Sequence, residues 1–209
     1  MFFYKTLIIN IALHLIELSL KFKINRFMHL DAQVINKIIH SVKDNQGIDL
    51  VKLSDQRPTL LFFLRHFGCT FCREALSDLS EIRTEIAALN VQLVFVHMVD
   101  KETADMHLSF YELNKSVNIS DPEKQLYEYF GLKKGNIRQL YGLNVMMRGF
   151  KAGLLNGHGH GFTSIGDMNQ MPGLFMLHHQ KIIRSFLHDT AADKPDYLEF
   201  IALALENKA

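Results

Sequence analysis

The feature that most constrains this chain is a short apolar run that leads directly into a pair of cysteines. Residues 60–64 read LLFFL, a pattern typical of a strand that is buried on both faces of a sheet. Cys69 and Cys72 follow shortly after it, and an amphipathic helical pattern begins near Arg73. A helix N-terminus presents unpaired N–H groups and a partial positive charge, which favour the thiolate form of a nearby cysteine. The spacing therefore predicts that Cys69 is a reactive thiol and that Cys72, one helical turn away, can close a disulfide with it.

Composition narrows the class of protein. With 209 residues and 48% hydrophobic content, the chain is long and apolar enough to form one globular domain with a full core. Lys and Arg number 23 against 22 Asp and Glu, and this balance argues against an electrostatic nucleic-acid binder. Two cysteines in all are too few for the disulfide framework of a small secreted protein.

The order of predicted elements indicates a mixed α/β sheet. The predicted strands are residues 50–53 (a short edge strand), 59–65, 91–99, 117–119, 173–178 and 181–187, and the predicted helices are the segments after Cys72 and at 101–113, 123–130, 135–152 and 195–205. Strand, helix and strand in succession require a parallel crossover, whereas the last two strands form an antiparallel hairpin around His179 and Gln180. We therefore predict a thioredoxin-like three-layer fold with a mixed central sheet, flanking helices and an insert before the hairpin.

Pro172 stands immediately before the predicted hairpin. Thioredoxin-like proteins place a cis-proline at this position, beside the active-site disulfide. We therefore predict that the Met171–Pro172 bond is cis and that Pro172 lies against the cysteine pair.

Three segments together resemble a known family. They are residues 63–74 (FLRHFGCTFCRE), residues 121–132 (DPEKQLYEYFGL) and residues 166–175 (GDMNQMPGLF). They are similar to the peroxiredoxin-like branch of the alkyl hydroperoxide reductase/thiol-specific antioxidant (AhpC/TSA) superfamily, and the similarity extends over roughly residues 50–200. The resemblance implies a thioredoxin fold, redox-active cysteines and an antioxidant or thiol-oxidoreductase role.

The cysteine motif departs from those of the best-known thioredoxin-fold enzymes. Typical peroxiredoxins carry Pro-x-x-x-Thr-x-x-Cys, but Phe62 and His66 occupy the Pro and Thr positions when counted from Cys69. Counted from Cys72, Arg65 and Cys69 occupy them. Thioredoxins carry Trp-Cys-Gly-Pro-Cys, which also differs from this motif. The sequence therefore leaves open whether the dithiol reduces peroxides or disulfides.

Four residues are candidates to support the cysteines. Pro172 and Thr70 are expected beside the sulfurs. His66 either adjusts the pKa of the thiolate or packs at the end of the strand. Arg148 is either a surface residue or the cation that polarises a peroxide or holds the thiolate, and the family resemblance places an arginine near this position.

A metal-binding role is the alternative to redox chemistry. A tetrahedral zinc site would need two ligands besides the cysteines, and the sequence has no second Cys-x-x-Cys. His158 and His160 are spaced more closely than zinc-finger histidines usually are. We therefore favour redox chemistry without a cofactor. Because there is no third cysteine to relay electrons, an external thiol or dithiol must reduce the pair after each peroxide or disulfide substrate is turned over.

The N-terminal segment stands apart from this pattern. Residues 2–20 are largely apolar but are interrupted by Lys5, Asn10, His14 and Glu17. They are either an inner-membrane anchor or an amphipathic helix, or they precede a natural start at Met28; the polar interruptions disfavour the anchor. We expect residues 1–27 to be an apolar helix separate from a thioredoxin-like domain at 28–209, and we expect the protein to be cytoplasmic.

Overall fold

The structure is a computed structural model that describes residues 44–142, 145, 147 and 166–206. Several predictions from the sequence lie outside these residues. They concern the helix and boundary at residues 1–27, the cation Arg148 and the histidines His158 and His160. Among the described residues, every helix is too short or too polar to cross a bilayer.

A five-stranded mixed sheet forms the centre of the fold. Its strands are β1 (Thr59–Phe63), β2 (Gln92–His97), β3 (Val117–Ser120), β4 (Gly173–His178) and β5 (Lys181–Leu187), in the order β3-β2-β1-β4-β5. Strands β1, β2 and β3 are parallel, and β4 pairs antiparallel with both β1 and β5. The predicted mixed sheet is therefore confirmed, with the strand before the cysteines at its centre.

The helices flank this sheet. They are α1 (Leu50–Gln56), α2 (Thr70–Glu81), α3 (Arg83–Ala88), α4 (Lys101–Ser109), α5 (Gln125–Tyr129), α6 (Ile137–Tyr141) and α7 (Tyr197–Glu206). The apolar face that the sequence shows after the cysteines belongs to two helices, because Ile82 ends α2 and also precedes α3.

The prediction of an edge strand at residues 50–53 is wrong. This segment begins α1, because the Asp49 side chain accepts a hydrogen bond from the Val51 N–H at 2.8 Å and caps the helix. Leu50, Val51, Leu53 and Ser54 are buried, which is the spacing of one helical face and not the alternation of a strand.

The two faces of the sheet are packed differently. On one face, both cysteines belong to a large apolar cluster that also includes Phe62, Leu76 and Phe200. Phe63 follows Phe62 in β1, so its side chain points to the other face. There its ring contacts three aromatic side chains, with centroid distances of 5.1, 5.0 and 5.5 Å to Tyr127, Phe130 and Phe175. Such edge-to-face and tilted contacts add to the stabilisation from burial. They fix the strand that carries the cysteine segment.

The Met171–Pro172 bond is trans, so the prediction of a cis bond is wrong. Trans is the ordinary state of an X–Pro bond, favoured by about 0.5–1 kcal/mol. The backbone on either side of this bond is already held: the Met171 N–H donates to the Lys133 carbonyl at 3.2 Å, and Gly173 pairs with Phe63. Pro172 nevertheless lines the same pocket as the two cysteines, where the sequence placed it.

Candidate active site

The two thiols lie where the chain leaves β1 and enters α2. Cys69 has an extended backbone and occupies the N-cap position of α2, so its side chain lies at the open N-terminal end of the helix. Cys72 occupies the first turn of the same helix. Both are free thiols, and they are only 5% and 3% exposed. The structure therefore brings together the two cysteines that the sequence paired, in a nearly closed environment.

The surroundings of Cys69 favour its thiolate. A hydrogen bond with the Cys72 side chain makes the largest contribution to lowering the pKa of Cys69. Burial raises this pKa, whereas the Arg65 charge and the N–H groups of Cys72 and Phe71 lower it further. Together they lower the pKa of Cys69 to about 6. At neutral pH this sulfur is mostly ionised, which is the reactive form of a cysteine.

Cys72 has the opposite behaviour. Its side chain hydrogen-bonds to Cys69 and is buried beside that negative charge, and these effects raise the pKa of Cys72 well above its ordinary value. The Arg65 N–H lies 3.4 Å from the Cys72 sulfur. The pair therefore consists of one thiolate and one protonated thiol, which are the two states that a nucleophile and its resolving partner require.

Arg65 lies beside the cysteines, and the sequence analysis did not single it out as a site residue. It is 5% exposed, and its Nη1 lies 3.5 Å from the Cys69 sulfur. Its Nε donates to the Met168 carbonyl at 2.9 Å, and its Nη2 donates to the same oxygen. The signal in the sequence was a cation directly after a fully apolar strand. In the part of the chain that the structure describes, Arg65 is a cation beside the Cys69 sulfur; Arg148, for which the sequence left this role open, lies outside that part.

The segment that holds Arg65 is itself fixed by ion pairs. Asp167 lies 2.8 Å from the Lys124 ammonium and 3.4 Å from that of Lys134. The hydrogen bond with Lys124 is the main reason that the pKa of Asp167 falls to about 2. The carbonyl of Met168 is thus presented to the guanidinium by an anchored turn.

The other predicted supporting residues lie close to the cysteines. Thr70 begins α2 and is 2% exposed. His66 is also buried, and its carbonyl accepts the Cys69 N–H at 3.1 Å. His66 therefore contributes to the backbone geometry of the site.

A small pocket opens beside the sulfurs. Its apolar wall includes Phe62, Phe71, Ala75, Pro172, Ala191 and Tyr197, and its polar wall comprises Glu74, His188, Asp193 and Lys194. Burial lowers the pKa of His188 to about 4, so this imidazole is neutral at physiological pH. The sequence analysis did not connect the segment around residues 188–194 with the cysteines, since it follows the last strand and carries no motif.

The metal-binding alternative gains no ligand set here. Within residues 44–142, 145, 147 and 166–206, no three His, Cys, Asp or Glu side chains are grouped so that they could hold a metal ion. His158 and His160 lie outside those residues.

Comparison with protein families agrees with this geometry. The model of the AhpC/TSA family matches residues 33–186. The chain belongs to the AhpC/TSA family. This confirms the resemblance drawn from the three sequence segments and supports a thiol oxidoreductase in general terms.

Individual relatives are distant. A prostamide/prostaglandin F synthase from Salmo salar is 27% identical over 170 residues, which cover 78% of this chain and 82% of the relative. Peroxiredoxin-like 2C from Homo sapiens is 26% identical over 91 residues, which cover 43% of this chain and 40% of the relative.

Solved structures share the fold. A peroxiredoxin 6 from Arenicola marina aligns with a TM-score of 0.56 at 12% identity, over 80% of this chain and 69% of that one. A peroxiredoxin Q from Xanthomonas campestris aligns with a TM-score of 0.54 at 12% identity, over 82% of this chain and 94% of that one. The predicted thioredoxin-like fold is thereby confirmed.

Proposed function

We propose that this protein is a thiol–disulfide oxidoreductase that reduces peroxides or disulfides through Cys69 and Cys72. The observation that carries the proposal is the division of roles between the two sulfurs. The pKa of Cys69 is lowered to about 6, whereas that of Cys72 is raised well above its ordinary value. One thiol is thus ready to attack near neutral pH while the other keeps its proton until it is needed.

With a peroxide, the Cys69 thiolate attacks one oxygen and the O–O bond breaks. The leaving oxygen takes a proton and departs as an alcohol or water, and Cys69 becomes a sulfenic acid. Cys72 then attacks the Cys69 sulfur, water leaves, and a disulfide forms. Two electrons have passed from the dithiol to the peroxide. An external dithiol, or two thiols, returns them by exchange.

With a disulfide substrate, Cys69 attacks one of its sulfurs and releases the other as a thiol. The product is a mixed disulfide, which Cys72 resolves to release the second substrate thiol. Both routes end in the same Cys69–Cys72 disulfide. The helix N-terminus and Arg65 serve both, because they act on the attacking thiolate and not on the substrate.

The names of the relatives favour small-molecule substrates. One relative is called peroxiredoxin-like and another a prostamide/prostaglandin F synthase. We therefore propose that peroxides and other small oxidised molecules are the first substrates to test.

The experiment is a count of free thiols on the protein, separated from small molecules, before and after one equivalent of hydrogen peroxide or of oxidised glutathione. The wild-type protein should fall from two free thiols to none with whichever oxidant is its substrate. Cys69→Ser should lower turnover at least about 10³-fold, because no other sulfur replaces the nucleophile. Cys72→Ser should accumulate a sulfenic acid or a mixed disulfide on Cys69.

Two results would contradict these assignments. Faster alkylation of Cys72 than of Cys69 at pH 7 would reverse the roles of the two sulfurs. Stoichiometric zinc in protein purified under reducing conditions, together with no loss of thiols to either oxidant, would favour the metal-binding alternative.

A further inference from the structure

We propose that Lys194 is a specificity-determining residue that restricts bulky substrates from reaching Cys69. It does so by joining the loop at residues 188–194, here called the entrance loop, to helix α2. The proposal rests on the proposed function for its meaning, since it concerns which oxidants reach the nucleophile. Its test measures access to the sulfur directly.

The starting point is the burial of the nucleophile. Cys69 is 5% exposed although its sulfur lies at the open end of a helix. The pocket beside it has one wall from the start of α2 and another from the entrance loop, which contributes His188, Ala191, Asp193 and Lys194. A substrate much larger than a simple peroxide must therefore separate these two walls.

The entrance loop is organised internally, so it behaves as a unit. The Asp193 carboxylate accepts hydrogen bonds from the Asp189 N–H at 2.7 Å, the Thr190 N–H at 2.9 Å and the Thr190 hydroxyl at 2.6 Å. The far side of the loop is fastened to the segment of α6. There the Ala191 N–H donates to the Gln139 carbonyl at 2.9 Å, and the Gln139 side chain donates to the Asp189 carbonyl at 3.0 Å.

Ion pairs join the loop to the helix that carries the cysteines. The Lys194 ammonium lies 2.6 Å from an Asp78 carboxylate oxygen and 3.6 Å from one of Glu74. The Lys194 and Asp78 side chains are 34% and 27% exposed, so water and salt screen the first pair. Partly exposed ion pairs are weak enough to open and close readily. The connection therefore limits access without sealing the site.

This arrangement predicts discrimination by size. A molecule of the size of hydrogen peroxide reaches Cys69 with the ion pairs intact, whereas a bulky organic oxidant or the disulfide of a folded protein requires them to break. Raising the ionic strength should relax the discrimination, because the ion pair is screened.

The experiment compares two neutral reagents with the same electrophile, N-methylmaleimide and N-(1-pyrenyl)maleimide. Rates of Cys69 labelling are measured in the Cys72→Ser background, so that one sulfur reacts. Lys194→Gln should raise the ratio of the pyrenyl rate to the methyl rate about two- to fivefold, the range expected for loss of a partly exposed ion pair. Adding 0.5 M salt, about enough to screen the pair, should raise the ratio in the parent and leave it unchanged in Lys194→Gln.

Matched variants separate this effect from general loosening. Lys181→Gln removes an exposed lysine of β5 and should leave the ratio unchanged. Asp78→Asn should raise the ratio in the same direction but by no more than Lys194→Gln, because the Glu74 pair remains, and the double variant should match Lys194→Gln alone. An unchanged ratio in both Lys194→Gln and Asp78→Asn, or equal acceleration of both reagents, would overturn the proposal. Failure of the proposed function would show instead as absent peroxide and disulfide turnover with the labelling ratios as predicted.

Discussion

Strands β1 and β2 lie side by side in the sheet, and an ionisable group is buried at the carboxyl end of each. After β1 it is Arg65, whose guanidinium faces the Met168 carbonyl and the Cys69 sulfur. At the end of β2 it is His97, whose Nδ1 lies 3.1 Å from the Val99 carbonyl and whose Nε2 lies 3.2 Å from the Asn118 side-chain oxygen. Both groups are at most 5% exposed.

The two sites respond to burial in opposite ways. Arginine keeps its charge in proteins, so the group that adjusts is its neighbour: the hydrogen bond with Cys72 and, after it, the Arg65 charge lower the pKa of Cys69. Histidine can lose its proton. The two acceptors around His97 favour the charged ring, but burial outweighs them and the pKa of His97 lies below its ordinary value. A permanent buried cation thus adds to the reactivity of the group next to it, whereas a titratable one becomes neutral and structural.

The largest effect that sharpens this comparison is expected from Arg65→Gln. Loss of the cation should raise the pKa of Cys69 and slow its alkylation at pH 6 by about 10- to 50-fold, with rates converging above pH 9. The measurement is a pH profile of iodoacetamide labelling. Arg65→Lys keeps the charge but loses the planar guanidinium that reaches both Met168 and Cys69. The midpoint of its labelling profile should lie between those of the wild type and Arg65→Gln. An unchanged midpoint in Arg65→Gln would mean that the helix N-terminus and Cys72 alone are enough to lower the pKa of Cys69.

At the end of β2, His97→Leu should lower the free energy of unfolding by about 2 kcal/mol. The Asn118 side-chain oxygen loses its hydrogen bond with the imidazole, whereas the Val99 carbonyl still accepts a hydrogen bond from the Ser120 hydroxyl at 2.5 Å. The pKa of His97 is lower in the folded than in the unfolded protein, so its contribution is present above pH 6.5 and is lost as the pH falls through the folded-state value. Urea unfolding at pH 7.5 and pH 5 should show the difference between variant and wild type shrinking in acid. A shifted pH profile of Cys69 labelling in this variant would show that His97 also affects the cysteine and is not purely structural.

The smallest effect is expected from Tyr127→Phe, which tests a hydroxyl that connects the two strand ends. Its oxygen lies 2.5 Å from the Leu64 carbonyl and 3.1 Å from the Val96 carbonyl. In the variant, the Val96 carbonyl still accepts a hydrogen bond from the Leu64 N–H at 2.8 Å, so only the Leu64 carbonyl loses a donor. Urea unfolding should show a loss of about 1 kcal/mol with the Cys69 pH profile unchanged. A loss as large as that of His97→Leu would show that the two ends are more tightly connected than their contacts suggest.

Local patterns predicted the parts of the fold that depend on local chemistry. The hairpin of β4 and β5 has the predicted bounds because His179 and Gln180 form a two-residue turn with positive φ values of 46° and 65°. Cys69 occupies the N-cap position of α2 and Cys72 lies in its first turn, as the position of the pair between a buried strand and an amphipathic helix indicated. The α1 segment was mistaken for a strand because four residues are too few to separate a helical from an alternating pattern.

The parts of the site that depend on contacts distant in sequence could not be predicted in this way. The sequence places Arg65 at the end of a predicted strand and at one position of a motif, and neither pattern indicates a contact with Cys69. Its partner Met168 and the entrance loop lie more than a hundred residues further along the chain. The trans Met171–Pro172 bond was missed because the expectation came from other proteins of this fold and not from this chain's own contacts.

The separation of 103 positions between Arg65 and Met168 in the sequence has a consequence for biosynthesis. A nascent chain that has emerged only through α2 already contains both cysteines but has neither the carbonyl that anchors Arg65 nor the strand β4 that pairs with β1. In that state water solvates the guanidinium, so the pKa of Cys69 lacks the lowering by the Arg65 charge and keeps only what Cys72 and the start of α2 can supply. We expect the full acidity of Cys69 to arise only when the segment from Met168 onward has folded, so that its appearance in a refolding time course reports completion of the sheet.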